Sequence, residues 1–135
     1  MGEILTEKQQ RDYLLGKIND PVHFTYPEPP IHRKGKLLDR IIVKDTDDEE
    51  VTYWNLIDLI KFEHDEENWL RITYYRYKKK AIPPKKRTGW VFAGQTSLSD
   101  PISKFQELFV NAIKEKEWVR TLFKEVFKQC AKELE

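Results

Sequence analysis

The stretch from Glu67 to Leu98, ENWLRITYYRYKKKAIPPKKRTGWVFAGQTSL, decides how this chain is read. From Trp69 to Lys79 the residues are mostly β-branched, aromatic or basic, with no Gly or Pro among them. That composition predicts a strand. Side chains alternate across a strand, so Trp69, Arg71, Thr73, Tyr75, Tyr77 and Lys79 share one face. Leu70, Ile72, Tyr74, Arg76 and Lys78 share the other. The second face starts apolar and reads as the core face. The first mixes aromatics with cations and reads as an exposed binding surface.

The strand runs into Ala81, Ile82, Pro83 and Pro84, whose prolines lack the backbone donor that a ladder needs. Lys85, Lys86 and Arg87 follow, giving six cations between residues 78 and 87 with no acid among them. Two readings stay open here. One is a lysine-rich hairpin loop kept soluble by its charge. The other is a phosphate-binding loop, driven by counterion release and flanked by aromatics on which bases stack at about 1–3 kcal/mol each.

Working outward, Trp90 and Phe92 alternate with Val91 and Ala93, a short strand apolar on both faces, and Gly94 suggests a bend. Upstream, Val51 to Glu63 fits both a helical and an alternating row, and Val51, Thr52, Tyr53 and Trp54 favour the strand. Asp58 interrupts its apolar row, and pairing with a cation such as Arg71 across the sheet accounts for it. Lys36 to Asp45 reads as the first strand, with Leu37, Ile41 and Val43 pointing one way and Leu38, Arg40 and Ile42 the other. Asp45 to Glu50 is an acidic turn without a calcium loop's glycine and distal Glu.

Thr6 and Gln9 have capping-box spacing and predict a short N-terminal helix with Leu5, Tyr13, Leu14 and Ile18 on its apolar stripe. The Pro-rich segment from Asp20 to Gly35 reads as extended chain lying on a surface. At the other end, Asp100 as cap and Pro101 at the first position predict a helix start. Apolar residues then recur at helical spacing to Leu134, as one bent helix or two. Positions 119, 123, 126 and 130 form a heptad seam, which suggests a homodimer contact. Cys130 lies in that stripe and reads as a buried thiol.

The 135 residues suit one domain, comprising an N-terminal helix and extended segment (1–35), a sheet (36–98) and a helical region (99–135). The fold class expected is α+β: a four-stranded curved antiparallel sheet, a short N-terminal helix, and a long C-terminal helix or helix pair. A net charge of +1 with 35% charged residues leaves no global basic field, so any anion site needs local segregation of charge. The single cysteine rules out an internal disulfide. The absence of an apolar run of about 18 residues predicts no membrane span and a cytoplasmic protein. His23 and His32 have neither the number nor the spacing of a zinc site, so no metal or cofactor is expected. No base, nucleophile and metal set converges, so no enzymatic activity is expected.

The order of elements, with Leu70-Arg71-Ile72-Thr73-Tyr74-Tyr75 and Pro84-Lys85-Lys86-Arg87-Thr88-Gly89 in place, resembles the Whirly and transcriptional-positive-cofactor group of single-stranded-DNA-binding proteins. The likeness covers roughly residues 36–114, and the turn glycine of the family's basic motif is absent. The resemblance implies a homo-oligomer that binds single strands on its sheet. Combined with the residue reading, the expectation is low-specificity binding of single-stranded DNA or RNA. Arg71, Arg76, Lys79, Lys85, Lys86 and Arg87 would meet phosphates, and Trp54, Trp69, Tyr75, Tyr77 and Trp90 would stack on bases. The rival expectations are a protein-interaction module using the same aromatics and, more remotely, a nuclease using Asp58.

Overall fold

A computed structural model of the chain describes residues 4–27, 30–80, 88–93 and 98–135, with backbone alone for 24–27 and 30–32. It falls into two compact units, Met1–Ser99 and Asp100–Glu135.

The first unit is a short helix, α1 (Glu7–Leu15), and a curled antiparallel sheet of five strands in meander order. The strands are β1 (Pro21–Pro27), β2 (Pro30–Asp47), β3 (Val51–Phe62), β4 (Trp69–Lys78) and β5 (Gly89–Phe92). The expected capping box is present. Gln9 N–H donates to Thr6 Oγ1 at 3.1 Å and the Gln9 side chain accepts from Thr6 N–H at 2.8 Å. That satisfies two of the helix's orphan donors.

The sheet has five strands where four were expected. The extra strand is the Pro-rich segment, whose prolines stand at the ends of pairing: Pro21 opposite Lys36, and Pro27 opposite Pro30. A missing N–H costs a ladder least there, on an edge strand. β2 consequently begins at Pro30, not Lys36, and pairs with β1 first and β3 later. Gly35 sits at the changeover, opposite both Val22 and Phe62. A Cβ there would lie 2.5 Å from the Lys61 carbonyl oxygen, so only glycine allows the strands to approach this closely.

A bulge at Leu38 resets the alternation of β2: Leu37 lies opposite Ile60, and Arg40 lies opposite Asp58. Leu37 therefore shares a face with Arg40 and Ile42, correcting the expected division. We call this the inner face, because α1 lies on it. Leu14 of α1 joins Ile42, Trp54, Leu56 and Tyr75 in one buried cluster, with Trp90 packed against it. Leu37, Ile60 and Phe62 form a second, flanked by Ile18, Val22 and Trp69. The opposite face also buries residues, among them Ile41, Asn55 and Ile57.

The faces of β4 are the reverse of those expected. Thr73, Tyr75 and Tyr77 are buried, whereas Leu70 is 44% exposed. Both rows carry large apolar groups, so composition alone favours neither. What decides is α1, which covers the aromatic row.

The second unit is a helix pair, α2 (Ile102–Glu115) and α3 (Glu117–Gln129). Lys116 between them is extended (φ −126°, ψ 125°), so the C-terminal region is two helices. Arg120 Nη1 donates to the Ile113 carbonyl at 2.8 Å and closes the break. Phe109 meets Phe123 edge to face at 5.5 Å. Pro101, not Asp100, is the N-cap residue, because its ψ of 147° lies outside the helix. Cys130 follows α3 as an exposed free thiol, contrary to the buried position expected. Among the described residues no helix is long and apolar enough to cross a membrane.

Candidate nucleic-acid interface

The site grows from the pairing of β3 with β4. That register sets Trp54 opposite Tyr75, Asp58 opposite Arg71 and Ile60 opposite Trp69. β5 adds Trp90 opposite Tyr77 and Phe92 opposite Tyr75. The inner face of β4 and β5 is thus an aromatic sheet interrupted by arginine.

Asp58 is fully buried between two guanidinium groups. Arg40 Nε donates to one oxygen at 2.7 Å and Arg40 Nη2 to the other at 3.1 Å. Arg71 Nη2 reaches the second oxygen at 2.9 Å, as the cross-strand reading expected. Arg40 Nη1 donates to the Leu14 carbonyl at 3.0 Å, which also fastens the end of α1. Burial opposes the Arg40 charge. The hydrogen bonds and charge of Asp58, helped by Tyr75, outweigh it and hold the arginine pKa above its ordinary value. A buried charge is tolerated when it is bonded in this way.

The aromatics sort by depth. Trp54 is wholly buried, and its Nε1–H donates to Gln10 Oε1 at 2.8 Å. Tyr75 and Tyr77 are 8% and 6% exposed, and the Tyr77 hydroxyl accepts from Leu5 N–H at 2.9 Å. These three expected stacking residues are core residues held under α1. Trp90 is half-buried, with Tyr13 lying flat on it at 4.6 Å and 7°. Its Nε1–H finds no acceptor among the described residues.

Toward the margin of the inner face, cations sit over aromatic rings. Arg33 lies 4.9 Å from the Trp69 ring, Arg71 4.9 Å from Phe92, and Lys17 4.7 Å from Tyr13. Trp69 Nε1–H donates to Asp65 at 2.7 Å. That bond, then the Glu67 N–H and the Arg33 charge, keep the Asp65 carboxyl below its ordinary range. Phe92 is 42% exposed and backed by Tyr75 at 4.5 Å. A pocket of about 420 Å³ opens here, lined by Lys17, His23, Arg40, Arg71, Tyr75 and Phe92 among others.

The remaining expected residues lie elsewhere. Arg76 is opposite Tyr53 and Val91, on the face away from α1. Lys79 Nζ is held by Asp47 at 2.6 Å and by the Asp48 carbonyl at 2.7 Å. Lys80 meets Glu49 at 3.8 Å. The basic run has no acid in its own sequence, but the neighbouring β2–β3 turn supplies acids. Lys85, Lys86 and Arg87 fall outside the described residues.

Of the residues expected from the sequence, Trp69 and Arg71 lie at this margin, and Phe92, Arg33 and Lys17, which were not among them, lie there too. Two signals were present: Phe92 is two residues from Trp90, and Lys17 stands four residues from Tyr13. No protein-family model, curated protein or solved structure matches this chain.

Proposed function

We propose that this chain is a non-enzymatic binder of single-stranded DNA or RNA. The observation that carries the reading is the set of cation–aromatic pairs at the margin of the inner face: Arg33 with Trp69, Arg71 with Phe92, and Lys17 with Tyr13. Unpaired bases stack on flat aromatic faces, and adjacent cations meet the phosphates between them. Stacking is indifferent to base identity, so the reading carries little sequence preference. Lys85, Lys86 and Arg87, which follow β4 in the sequence, would add further phosphate contacts. Tyr75 backs the Phe92 ring, Trp54 and Tyr77 are buried in the core, and in this reading none of the three meets the strand.

The test is fluorescence anisotropy of labelled single-stranded and duplex oligonucleotides at two salt concentrations. The reading predicts preference for single strands and affinity that falls steeply as salt rises. Equal binding of duplex, or affinity independent of salt, contradicts it.

A second reading, self-association through the C-terminal helices, is favoured by α3. Leu122, Val126 and Phe127 of that helix are 43%, 45% and 51% exposed. Grouped apolar exposure of this kind commonly marks a protein contact. Sedimentation over a concentration series checks it: a dimer that Val126→Glu dissociates is expected, and a monomer throughout contradicts it.

A further inference from the structure

We infer that the pocket beside Arg71 is a subsite for one nucleotide unit, holding its phosphate on Arg71 and Lys17 and its base against Phe92. The inference rests on the nucleic-acid reading for the class of ligand, and on three observations of the pocket itself.

The first is charge. Among the described residues Lys17, Arg40 and Arg71 line the pocket with a single acid, Asp20, while Asp58 lies behind the arginines; their sum leaves one positive charge in excess. His23 is a further lining residue. The second is unused donor capacity. Arg71 directs Nε and Nη2 to Asp58 at 3.3 and 2.9 Å, which fixes the plane of the guanidinium. Its Nη1 amino group has no acceptor among the described residues, and its side chain remains 15% exposed. A guanidinium anchored along one edge, with an amino group to spare, is arranged for a charge-assisted bond to phosphate. The third is shape. Phe92 is exposed, its ring is backed by Tyr75, and the pocket of about 420 Å³ lies within the ordinary range for small ligands, roughly 300–1,000 Å³. A planar group with an attached anion matches that pairing of a ring and a fixed cation.

Arg40 has a different task. It is 2% exposed and committed to Asp58 and to the Leu14 carbonyl, so it positions Asp58 and through it Arg71.

The experiment is titration of the full chain with adenosine 5′-monophosphate, adenosine and inorganic phosphate, followed by amide and arginine Nε–H shifts in NMR spectra. Arg71→Gln, Lys17→Gln and Phe92→Ala are run alongside. The monophosphate should bind and shift Arg71 and Phe92. Adenosine should bind at least about tenfold more weakly, the scale of one charge-assisted hydrogen bond. Lys17→Gln and Phe92→Ala should each weaken the monophosphate, which keeps the test intact even where Arg71→Gln unfolds the chain. Equal binding of adenosine and the monophosphate overturns the phosphate subsite. Equal binding of phosphate and the monophosphate overturns the base subsite.

Oligonucleotide binding without any monophosphate binding overturns this inference and leaves the broader reading standing. Monophosphate binding without oligonucleotide binding does the reverse. Oligonucleotides with and without a terminal phosphate separate the sources of the ligand. Tighter binding of the phosphorylated strand assigns the pocket to strand ends, and equal binding assigns it to a unit within the strand.

Discussion

Arg40 grips both oxygens of Asp58, at 2.7 and 3.1 Å, with side chains 2% and 0% exposed. The pair joins β2 to β3 in the middle of the inner face. Removing one partner strands the other charge in the interior. Asp58→Ala should therefore destabilise the chain by about 3–5 kcal/mol, whereas replacing both residues with apolar ones should recover most of that loss. Urea unfolding of the single and double variants measures it. A cost for Asp58→Ala below about 1 kcal/mol, the range of an exposed pair, would contradict the finding.

How far the sequence disclosed this arrangement differs from residue to residue. The β3 and β4 strands were legible because Val51–Trp54 and Trp69–Tyr77 are dense in β-branched and aromatic residues. The Asp58–Arg71 pair followed, since an acid inside an apolar row requires a cation. The Arg40 half was hidden, because the bulge at Leu38 shifts the register and a bulge leaves no mark in this stretch. The orientation of β4 was hidden too. Its aromatic face resembles an exposed binding surface until α1 is placed on it, and α1 packs through Gln10 and Leu14 across a long separation in sequence. β1 was obscured by prolines, whose positions at strand ends become visible only with the pairing. At Lys116 the local charge pattern continues through the helix break.

Trp54 and Phe92 should respond oppositely to truncation. Trp54 fills the core and donates to the buried Gln10 side chain, so Trp54→Ala should cost about 3–5 kcal/mol. Phe92 is 42% exposed, and its removal should cost much less stability while weakening ligand binding. Thermal melts beside binding titrations separate the two. Loss of binding in a Trp54 variant that keeps wild-type stability would place Trp54 in the interface instead.

Acid should loosen the β2–β3 turn. The hydrogen bond from Lys79, then that from Thr52, hold the Asp47 carboxyl below its ordinary value of 3.8. As pH falls, the unfolded chain takes up this proton before the folded chain does. The stabilisation is therefore complete above the ordinary carboxylate pKa and is lost as pH drops through the lower folded value. Asp65, held low by Trp69, acts with the same sign. Asp47→Asn should flatten the fall in stability as pH drops through and below the ordinary carboxylate value, measured by denaturant unfolding. An unchanged slope would show that Asp47 does not contribute.

The central claim is that single strands bind at the cation–aromatic margin of the inner face. The most direct measurement is anisotropy of one labelled single-stranded oligonucleotide with Arg71→Gln, Phe92→Ala and Arg76→Gln. Arg76 lies on the opposite face and serves as the comparison. The account predicts that Phe92→Ala weakens binding by about 1–3 kcal/mol, as loss of one stacking ring does. Arg71→Gln should weaken binding and reduce its salt dependence by about one phosphate contact. Arg76→Gln should leave affinity near that of the wild type. Equal losses from all three, or none from Phe92 and Arg71, would contradict the account.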